Sequence, residues 1–128
     1  MKLNKVHHIA IIASDYERSK EFYTSILGAE ILNEYYREER DSYKLDLAIN
    51  GEYLLELFSF PNPPERLTYP EARGLRHIAF EVDDVVAVQK ELKDKGVKTT
   101  DLRKDPYTGK QTIFFFDPDE LPIEVYEA

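Results

Sequence analysis

Two histidines and two glutamates in this sequence have the types and spacing of a metal site. The separation of His8 and Glu56 along the chain is almost the same as that of His77 and Glu124. Imidazole and carboxylate groups are common ligands of divalent transition metals. The sequence contains no cysteine, which excludes a thiolate metal site, a cysteine nucleophile and a disulfide. His8, Glu56, His77 and Glu124 are therefore a candidate four-ligand set.

These residues recur because the chain is a tandem repeat. The segment Val6–Ile11 (VHHIAI) returns in the second half of the chain as Leu75–Phe80 (LRHIAF). Further landmarks keep nearly the same offset, namely Asp15 with Asp84, Gly28 with Gly96, and Glu56 with Glu124. A period near half the length of the chain predicts two similar structural modules.

In each copy the residue pattern predicts one strand, then a helix, then three strands. In the first copy the pattern predicts a strand over Lys5–Ala13, a helix over Tyr16–Leu27, and strands over Glu30–Tyr36, Tyr43–Ile49 and Glu52–Phe60. Asp15 is the expected N-cap of the helix and Gly28 its stop. Asn50 and Gly51 are a strong hairpin signal between the last two strands.

The second copy predicts the same order, with a turn at Asp117–Glu120 in place of the Asn-Gly hairpin. Its predicted elements are a strand over Leu75–Val82, a helix over Asp84–Lys95, and strands over Lys98–Arg103, Gln111–Phe116 and Leu121–Tyr126. Four prolines between residues 61 and 74 predict a stiff, non-helical linker. We therefore expect an α+β fold in which residues 1–128 form one domain, with βαβββ repeats at 1–60 and 75–128 and a linker at 61–74.

Strand alternation places the candidate ligands in apolar rows. His8 shares a strand face with Ile12, and Glu56 shares one with Phe58. Burying an unpaired carboxylate is unfavourable, so a glutamate in such a row needs a cation or a hydrogen-bonding partner. His7 points to the opposite face and is a ligand only if the strand register differs by one residue.

The composition limits the classes of partner. With 128 residues, of which 42% are hydrophobic, the chain is long enough to bury a core. A formal net charge of −8 repels phosphate backbones and argues against a nucleic-acid partner. The sequence starts without a signal-like segment and has no apolar run of membrane-spanning length, so we expect a cytoplasmic protein with no membrane partner.

The paired modules and the His/Glu/His/Glu set resemble the vicinal oxygen chelate superfamily of glyoxalase I, bleomycin-resistance proteins and dioxygenases. The resemblance covers essentially the whole chain, and within the superfamily the chain is similar to small bacterial glyoxalase-like proteins of the YaeR type. The segments that carry it are Val6–Ile11, Phe22–Gly28, Leu55–Phe58, Leu75–Phe80 and Phe116–Glu124. It implies that the modules form a glyoxalase-type half-barrel sheet. An open half-barrel has strand edges that need a partner, so we expect a homodimer.

The resemblance also implies a function. His8, Glu56, His77 and Glu124 match the metal ligands of glyoxalase I, which implies one divalent ion per site, with Ni, Zn, Co, Fe and Mn all compatible. In that family the metal grips two adjacent oxygens and stabilises an enediolate-like anion. Glu124 is the first candidate for the catalytic base and Glu56 the symmetric alternative, unless both act only as ligands. The expected activity is lyase or isomerase chemistry on a small oxygen-rich metabolite.

Other functions of the superfamily remain open at this point. A bleomycin-resistance-type protein would bind and sequester a small molecule without chemistry, but it needs no four-ligand set. Metal-dependent dioxygenases of the superfamily hold their metal with two His and one Glu, which leaves places open for oxygen. In this chain a fourth protein ligand would occupy one of those places. Methylmalonyl-CoA epimerase is a close mechanistic neighbour of the expected lyase or isomerase.

Several positions depart from the glyoxalase I pattern. That enzyme holds glutathione with an Arg four residues after its first His and an Asn four residues after its first Glu, whereas this chain has Ile12 and Phe60. We therefore expect poor lactoylglutathione lyase activity. Glu120 replaces the family's usual Gly in the turn after Asp-Pro-Asp, which leaves the form of that turn open.

Other polar groups are candidates for substrate selection. Arg37 or Arg40 would clamp a substrate carboxylate, unless this segment is a plain charged hairpin. Arg76 alternates away from its neighbour His77 and is expected to point outward. The segment Asp105–Lys110 predicts a turn, in which Tyr107 and Lys110 are possible lid residues.

Overall fold

The computed structural model of the protein describes residues 1–128, which divide into two compact units, 1–64 and 65–128. The first unit contains β1 (Ile9–Ala13), α1 (Tyr16–Glu21), β2 (Glu30–Arg37), β3 (Ser42–Ile49) and β4 (Glu52–Ser59). The second contains β5 (Ile78–Val82), α2 (Val85–Asp94), β6 (Arg103–Lys104), β7 (Gln111–Phe116) and β8 (Pro122–Glu127). The predicted α+β class and the repeated βαβββ order are confirmed.

The two sheets have the same topology, with strand orders β1-β4-β3-β2 and β5-β8-β7-β6. The first strand of each unit runs parallel to the last, and the other neighbours are antiparallel. The predicted hairpin is confirmed, since Asn50 and Gly51 have φ angles of 50° and 80°, as a type I′ turn requires. In the matching turn of the second unit, Glu120 adopts φ 67°, and the N–H of Leu121 donates to Asp117 Oδ1 at 2.9 Å.

One face of each sheet is apolar and buried. Its side chains include Leu45, Leu47, Leu55 and Leu57 in the first unit and Ile113, Phe115, Ile123 and Val125 in the second. Helix α2 contacts β7 and β8, and its Val85 and Leu92 are buried. Because side chains alternate along a strand, Glu56 and Glu124 lie on the opposite face, which we call the open face.

Two predicted strands are shorter than the sequence suggested, and the predicted helix changes its hydrogen bonding midway. Strands β1 and β5 begin at Ile9 and Ile78, where their parallel pairing begins, and not at residues 5 and 75. The first α-helix ends at Glu21 and continues as a π-helical turn, Phe22–Ile26, in which the hydroxyl of Thr24 donates to the carbonyl of Lys20 at 2.8 Å. Such a side-chain hydrogen bond competes with the regular helical ladder.

The predicted strand over Lys98–Arg103 is wrong in extent, because only Arg103–Lys104 forms β6. The N–H of Thr100 donates to the carbonyl of Phe114 at 2.8 Å, but the N–H of Phe114 donates to the side chain of Thr100 at 2.9 Å. The hydroxyl thus replaces a backbone acceptor and interrupts the ladder. Among the helices, none is long and apolar enough to cross a membrane.

Candidate functional site

The first His–Glu pair lies on two neighbouring parallel strands. Glu56 on β4 is the register partner of Ala10 on β1, and His8 precedes Ala10 by two residues. This places both side chains on the open face, with His8 Nε2 3.8 Å from Glu56 Oε1. The side chains are 38% and 12% exposed. The glutamate is thus largely enclosed, while the imidazole still reaches solvent.

Three further side chains surround the carboxylate of Glu56. Asp46 on β3 is its register partner across the sheet. Lys44 Nζ lies 2.6 Å from Asp46 Oδ1 and 3.2 Å from Glu56 Oε2. The Tyr53 hydroxyl lies 3.0 Å from each of the same two oxygens. Glu56 Oε2 is therefore held by an ammonium and a phenol, while Oε1 faces the imidazole of His8.

The charges of this cluster stabilise one another. Burial disfavours the ammonium of Lys44, but hydrogen bonds to Asp46 and Glu56 outweigh this effect and raise the pKa of Lys44. Burial also disfavours the carboxylate of Asp46, but hydrogen bonds from Lys44 and Tyr53 outweigh it and lower the pKa of Asp46. Burial and the two carboxylates raise the pKa of Tyr53, so its hydroxyl stays protonated and remains a donor.

The ring of His8 is held from two sides. The Tyr53 ring stacks on it with a centroid separation of 5.4 Å and an interplanar angle of 2°. His7 is exposed, and its Nδ1 lies 2.8 Å from His8 Nδ1, so one imidazole donates to the other. A metal-binding histidine commonly donates its second ring N–H to an acceptor, which fixes its tautomer. His7 is thus suited to accept from His8, and it is the Nε2 of His8 that faces Glu56.

The second His–Glu pair repeats this geometry with different neighbours. Glu124 on β8 is the register partner of Ala79 on β5, and His77 Nε2 lies 4.0 Å from Glu124 Oε1. The two side chains are 26% and 16% exposed. Across the sheet the register partner of Glu124 is Phe114, whose ring lies edge to face with the His77 ring at 5.3 Å. An aromatic ring thus stands where the first unit has the carboxylate of Asp46.

Within each pair, the His and Glu side chains are close enough to bind the same divalent cation. Two ligand atoms that each lie about 2.1 Å from one ion are at most about 4.2 Å apart, and the observed separations of 3.8 and 4.0 Å are below this limit. Imidazole nitrogen and carboxylate oxygen are also a suitable donor set. Each unit thus brings two candidate ligands together, and the chain contains no group of three or more His, Cys, Asp or Glu side chains that could hold a metal.

Glu56 and Glu124 are part-buried, but the apolar rows in which they lie are not the buried core rows. On the open face Ile12 is 53% exposed, and the buried apolar side chains lie on the opposite face of the sheet. The predicted alternation is correct, but the buried apolar row belongs to residues such as Ile11 and Ala13. The carboxylates of Glu56 and Glu124 are instead part-buried among polar and aromatic neighbours.

A cavity of about 670 Å³ lies in the second unit and includes His77. It is lined by aromatic and proline side chains of β7 and β8, by the linker and by three arginines. These residues include Phe114, Phe116, Pro122, Arg66, Arg76 and Arg103. Arg76 is 66% exposed, as expected for an outward side chain, but it also lines this cavity, and its Nη1 lies 3.3 Å from His77 Nδ1. Its Nε donates to Glu71, which holds it in this position.

The other predicted substrate-selecting residues, Arg37 and Arg40, contact Ser42 and the aromatic rings at the end of β4. Arg37 donates to the Ser42 hydroxyl at 2.9 Å and lies over the Phe58 ring at 4.9 Å, while Arg40 lies over the Phe60 ring at 5.0 Å. None of these contacts is an ion pair, and both the substrate clamp and the charged hairpin stay predictions.

The segment Asp105–Lys110 forms a turn, with Tyr107 94% exposed. Lys110 Nζ donates to the carbonyl of Ala128 at 2.5 Å. The turn prediction is thus confirmed.

Sequence comparison places these observations in a family. The profile of the Glyoxalase/Bleomycin resistance protein/Dioxygenase superfamily matches residues 5–125. The uncharacterized protein YwkD of Bacillus subtilis is 60% identical over 127 residues and 99% of each chain. The uncharacterized protein YaeR of Escherichia coli is 59% identical over 125 residues, or 98% of this chain and 97% of that protein. The crystal structure of a glyoxalase family protein from Enterococcus faecalis, 46% identical, superposes with a TM-score of 0.92 over 99% of this chain and 100% of the other.

Relatives with a named activity are more distant. Lactoylglutathione lyase of Salmonella typhimurium is 32% identical over 129 residues, covering 94% of this chain and 90% of the enzyme. Mouse methylmalonyl-CoA epimerase is 27% identical over 123 residues. A fosfomycin resistance protein of Listeria monocytogenes, solved with Mn(II), shares the fold at 24% identity and a TM-score of 0.74. With its duplicated βαβββ units and a profile match over nearly its whole length, the chain belongs to the glyoxalase/bleomycin resistance protein/dioxygenase superfamily.

Proposed function

We propose that the protein is a metal-dependent enzyme of the glyoxalase type, with His8, Glu56, His77 and Glu124 as ligands of one divalent ion. The observation that carries the proposal is the repeated His–Glu pair, with N–O separations of 3.8 and 4.0 Å on equivalent parallel strands. When bound, the ion supplies Lewis-acid stabilisation of negative charge on two adjacent substrate oxygens. Imidazole and carboxylate suit Ni, Zn, Co, Fe and Mn alike.

Glu124 is the proposed base, which moves a proton on the carbon next to the substrate carbonyl. Its one ion-pair partner within 4.0 Å is His77, and its cross-strand neighbour is the apolar Phe114. The carboxylate of Glu56, in contrast, is held by Lys44 and Tyr53. A carboxylate with fewer partners changes position at lower cost, and this favours Glu124 over the symmetric alternative Glu56.

The cavity of the second unit suits a small substrate that carries both oxygens and an anionic group. Its volume of about 670 Å³ is in the usual range for small-molecule sites. Phe114 and Phe116 offer an apolar surface beside His77. At the rim, Arg103 forms no ion pair within the chain and is available to an anionic substituent. We therefore propose an acidic, oxygen-rich metabolite as the substrate class.

The proposed function is tested by proton exchange in heavy water. Metal-loaded protein is mixed with small hydroxycarbonyl acids such as hydroxypyruvate and tartronate semialdehyde, with neutral glyceraldehyde and dihydroxyacetone for comparison, and proton NMR follows the signal next to the carbonyl. An enzyme of this type replaces that proton by deuterium faster than the same metal in buffer, and the metal-free protein does not. Broadened ligand signals without any exchange would favour the alternative of a sequestration protein.

We also propose that the protein is a homodimer. Each unit holds only two of the four ligands, and a complete set needs a second pair, from the other unit or from a second copy. Several side chains of the edge strand β2 are apolar and exposed, including Ile31, Leu32 and Tyr35. Light scattering is expected to give twice the 15.0 kDa of one chain. A 15.0 kDa particle at micromolar concentration would contradict the dimer.

Glutathione hemithioacetals are expected to be poor substrates, with turnover at least about a hundredfold below the ~10 per second of a median enzyme. Ile12 and Phe60 stand where glyoxalase I holds glutathione with an Arg and an Asn, and Phe60 instead stacks on Phe58 at 5.8 Å. Loss of two such contacts, at about 1.5–3 kcal/mol each, is enough for this factor. Assays with methylglyoxal and glutathione under Ni, Co, Zn and Mn check it, and fast turnover with any of these metals would contradict it.

A further inference from the structure

We infer that Tyr53, Lys44 and Asp46 are positioning residues that fix His8 and Glu56 as the permanent half of the metal site. The inference rests on the proposed metal-dependent function and adds an asymmetry to it. The first His–Glu pair is held in place before any metal binds, whereas the second pair has no equivalent support.

The two oxygens of Glu56 have separate roles in this arrangement. Oε1 faces His8 Nε2 at 3.8 Å and is the oxygen available to a metal. Oε2 lies 3.0 Å from the Tyr53 hydroxyl and 3.2 Å from Lys44 Nζ. Two charge-assisted contacts on one oxygen fix the rotation of the carboxylate. The other oxygen is thereby kept on the side of the imidazole.

Tyr53 contacts both proposed ligands of the first unit. Its hydroxyl donates to the carboxylate side, and its ring stacks on the His8 ring at 5.4 Å. The phenol has one proton to share between Glu56 and Asp46, whereas the ammonium of Lys44 has enough protons to donate to both. Tyr53 thus fixes the position of one ligand relative to the other.

Asp46 and Lys44 balance the charge of the cluster. Asp46 is 6% exposed and lies directly opposite Glu56, so the two carboxylates would repel each other without a cation between them. Lys44 occupies that place, and Asn33 Nδ2 contacts the second oxygen of Asp46 at 3.4 Å. The arrangement holds the carboxylate of Glu56 in place.

The repeat gives an internal comparison, because the second unit lacks this cluster. At the offset that relates Glu56 to Glu124, the residues Lys44, Asp46 and Tyr53 correspond to Thr112, Phe114 and Leu121. None of these three side chains carries a charge or a phenol. Both halves of the fold therefore contain a His–Glu pair, but only the first pair has supporting side chains around it. If a ligand moves during the reaction, we infer that it belongs to the second pair.

The test uses Tyr53→Phe, which removes one hydroxyl and changes no charge. Tyr36→Phe is the matched control, because the Tyr36 hydroxyl also donates to a carboxylate of the first unit, Asp41 Oδ1 at 2.7 Å, away from His8 and Glu56. Dissociation constants for Co(II) and Zn(II) are measured by chelator competition. The visible spectrum of the Co(II) form reports the ligand geometry, and thermal melts of the metal-free proteins report folding.

Removal of a group that orients a metal ligand commonly weakens metal binding by about ten- to a hundredfold. We expect Tyr53→Phe to weaken the binding of both metals at least about tenfold and to alter the Co(II) spectrum. For Tyr36→Phe we expect affinities within about twofold of wild type and an unaltered spectrum. Equal affinities for Tyr53→Phe and wild type, or equal losses in both variants, would overturn the inference alone. A wild type that takes up no metal would overturn the proposed metal site and the inference together.

Discussion

Replacing Glu124 with Gln is expected to lower the rate of substrate proton exchange by about a hundredfold or more. The amide keeps the size of the side chain and an oxygen for the metal, but it cannot accept a proton from carbon. A positioned general base contributes about 10²–10⁴-fold to such a step. The measurement is deuterium incorporation by the metal-loaded variant, compared with wild type at equal metal content.

Glu81→Gln is the matched control for this prediction. Glu81 lies on β5, is exposed, and its loss changes the net charge by the same amount. We expect it to exchange at the wild-type rate. If Glu124→Gln exchanged normally with its metal bound while Glu56→Gln did not, the base would be Glu56, and the role proposed for its supporting cluster would be wrong.

The duplicated fold could be predicted from the sequence because the repeat, the hairpin turn and the helix caps are local signals. Asn50 and Gly51 specify a type I′ turn, and Asp84 caps α2 by accepting from the N–H of Ala87 at 3.0 Å. The His–Glu spacing within each copy also predicted which side chains come together, because β1 and β4 are neighbours in this βαβββ order.

The supporting cluster could not be predicted, because a β-bulge determines it. Near the turn, Ile49 pairs with Glu52. If this register continued without a shift, Asp46 would pair with Leu55, whose side chain lies on the buried face. The register shifts between Leu47 and Ala48, so Asp46 pairs with Glu56 instead. A shift of one residue moves a whole strand segment to the other face.

Replacing His77 or Glu56 with Ala is expected to weaken binding of a divalent metal more than about a hundredfold. Structural metal sites of four ligands bind with about 10–16 kcal/mol, so one ligand accounts for roughly 3 kcal/mol, and each 1.4 kcal/mol is a factor of ten. His7→Ala is the graded comparison, since His7 contacts His8 without being a proposed ligand. We expect it to weaken metal binding by about ten- to a hundredfold, as loss of a group that supports a ligand commonly does, and by less than either ligand variant.

Elemental analysis of purified wild type, Glu56→Ala and His77→Ala after gel filtration tests the central claim most directly. The two substitutions lie in different units of the fold, so together they test whether both His–Glu pairs bind the same ion. We predict about one divalent metal per chain in the wild type and little in either variant. Equal metal content in all three proteins would contradict the account.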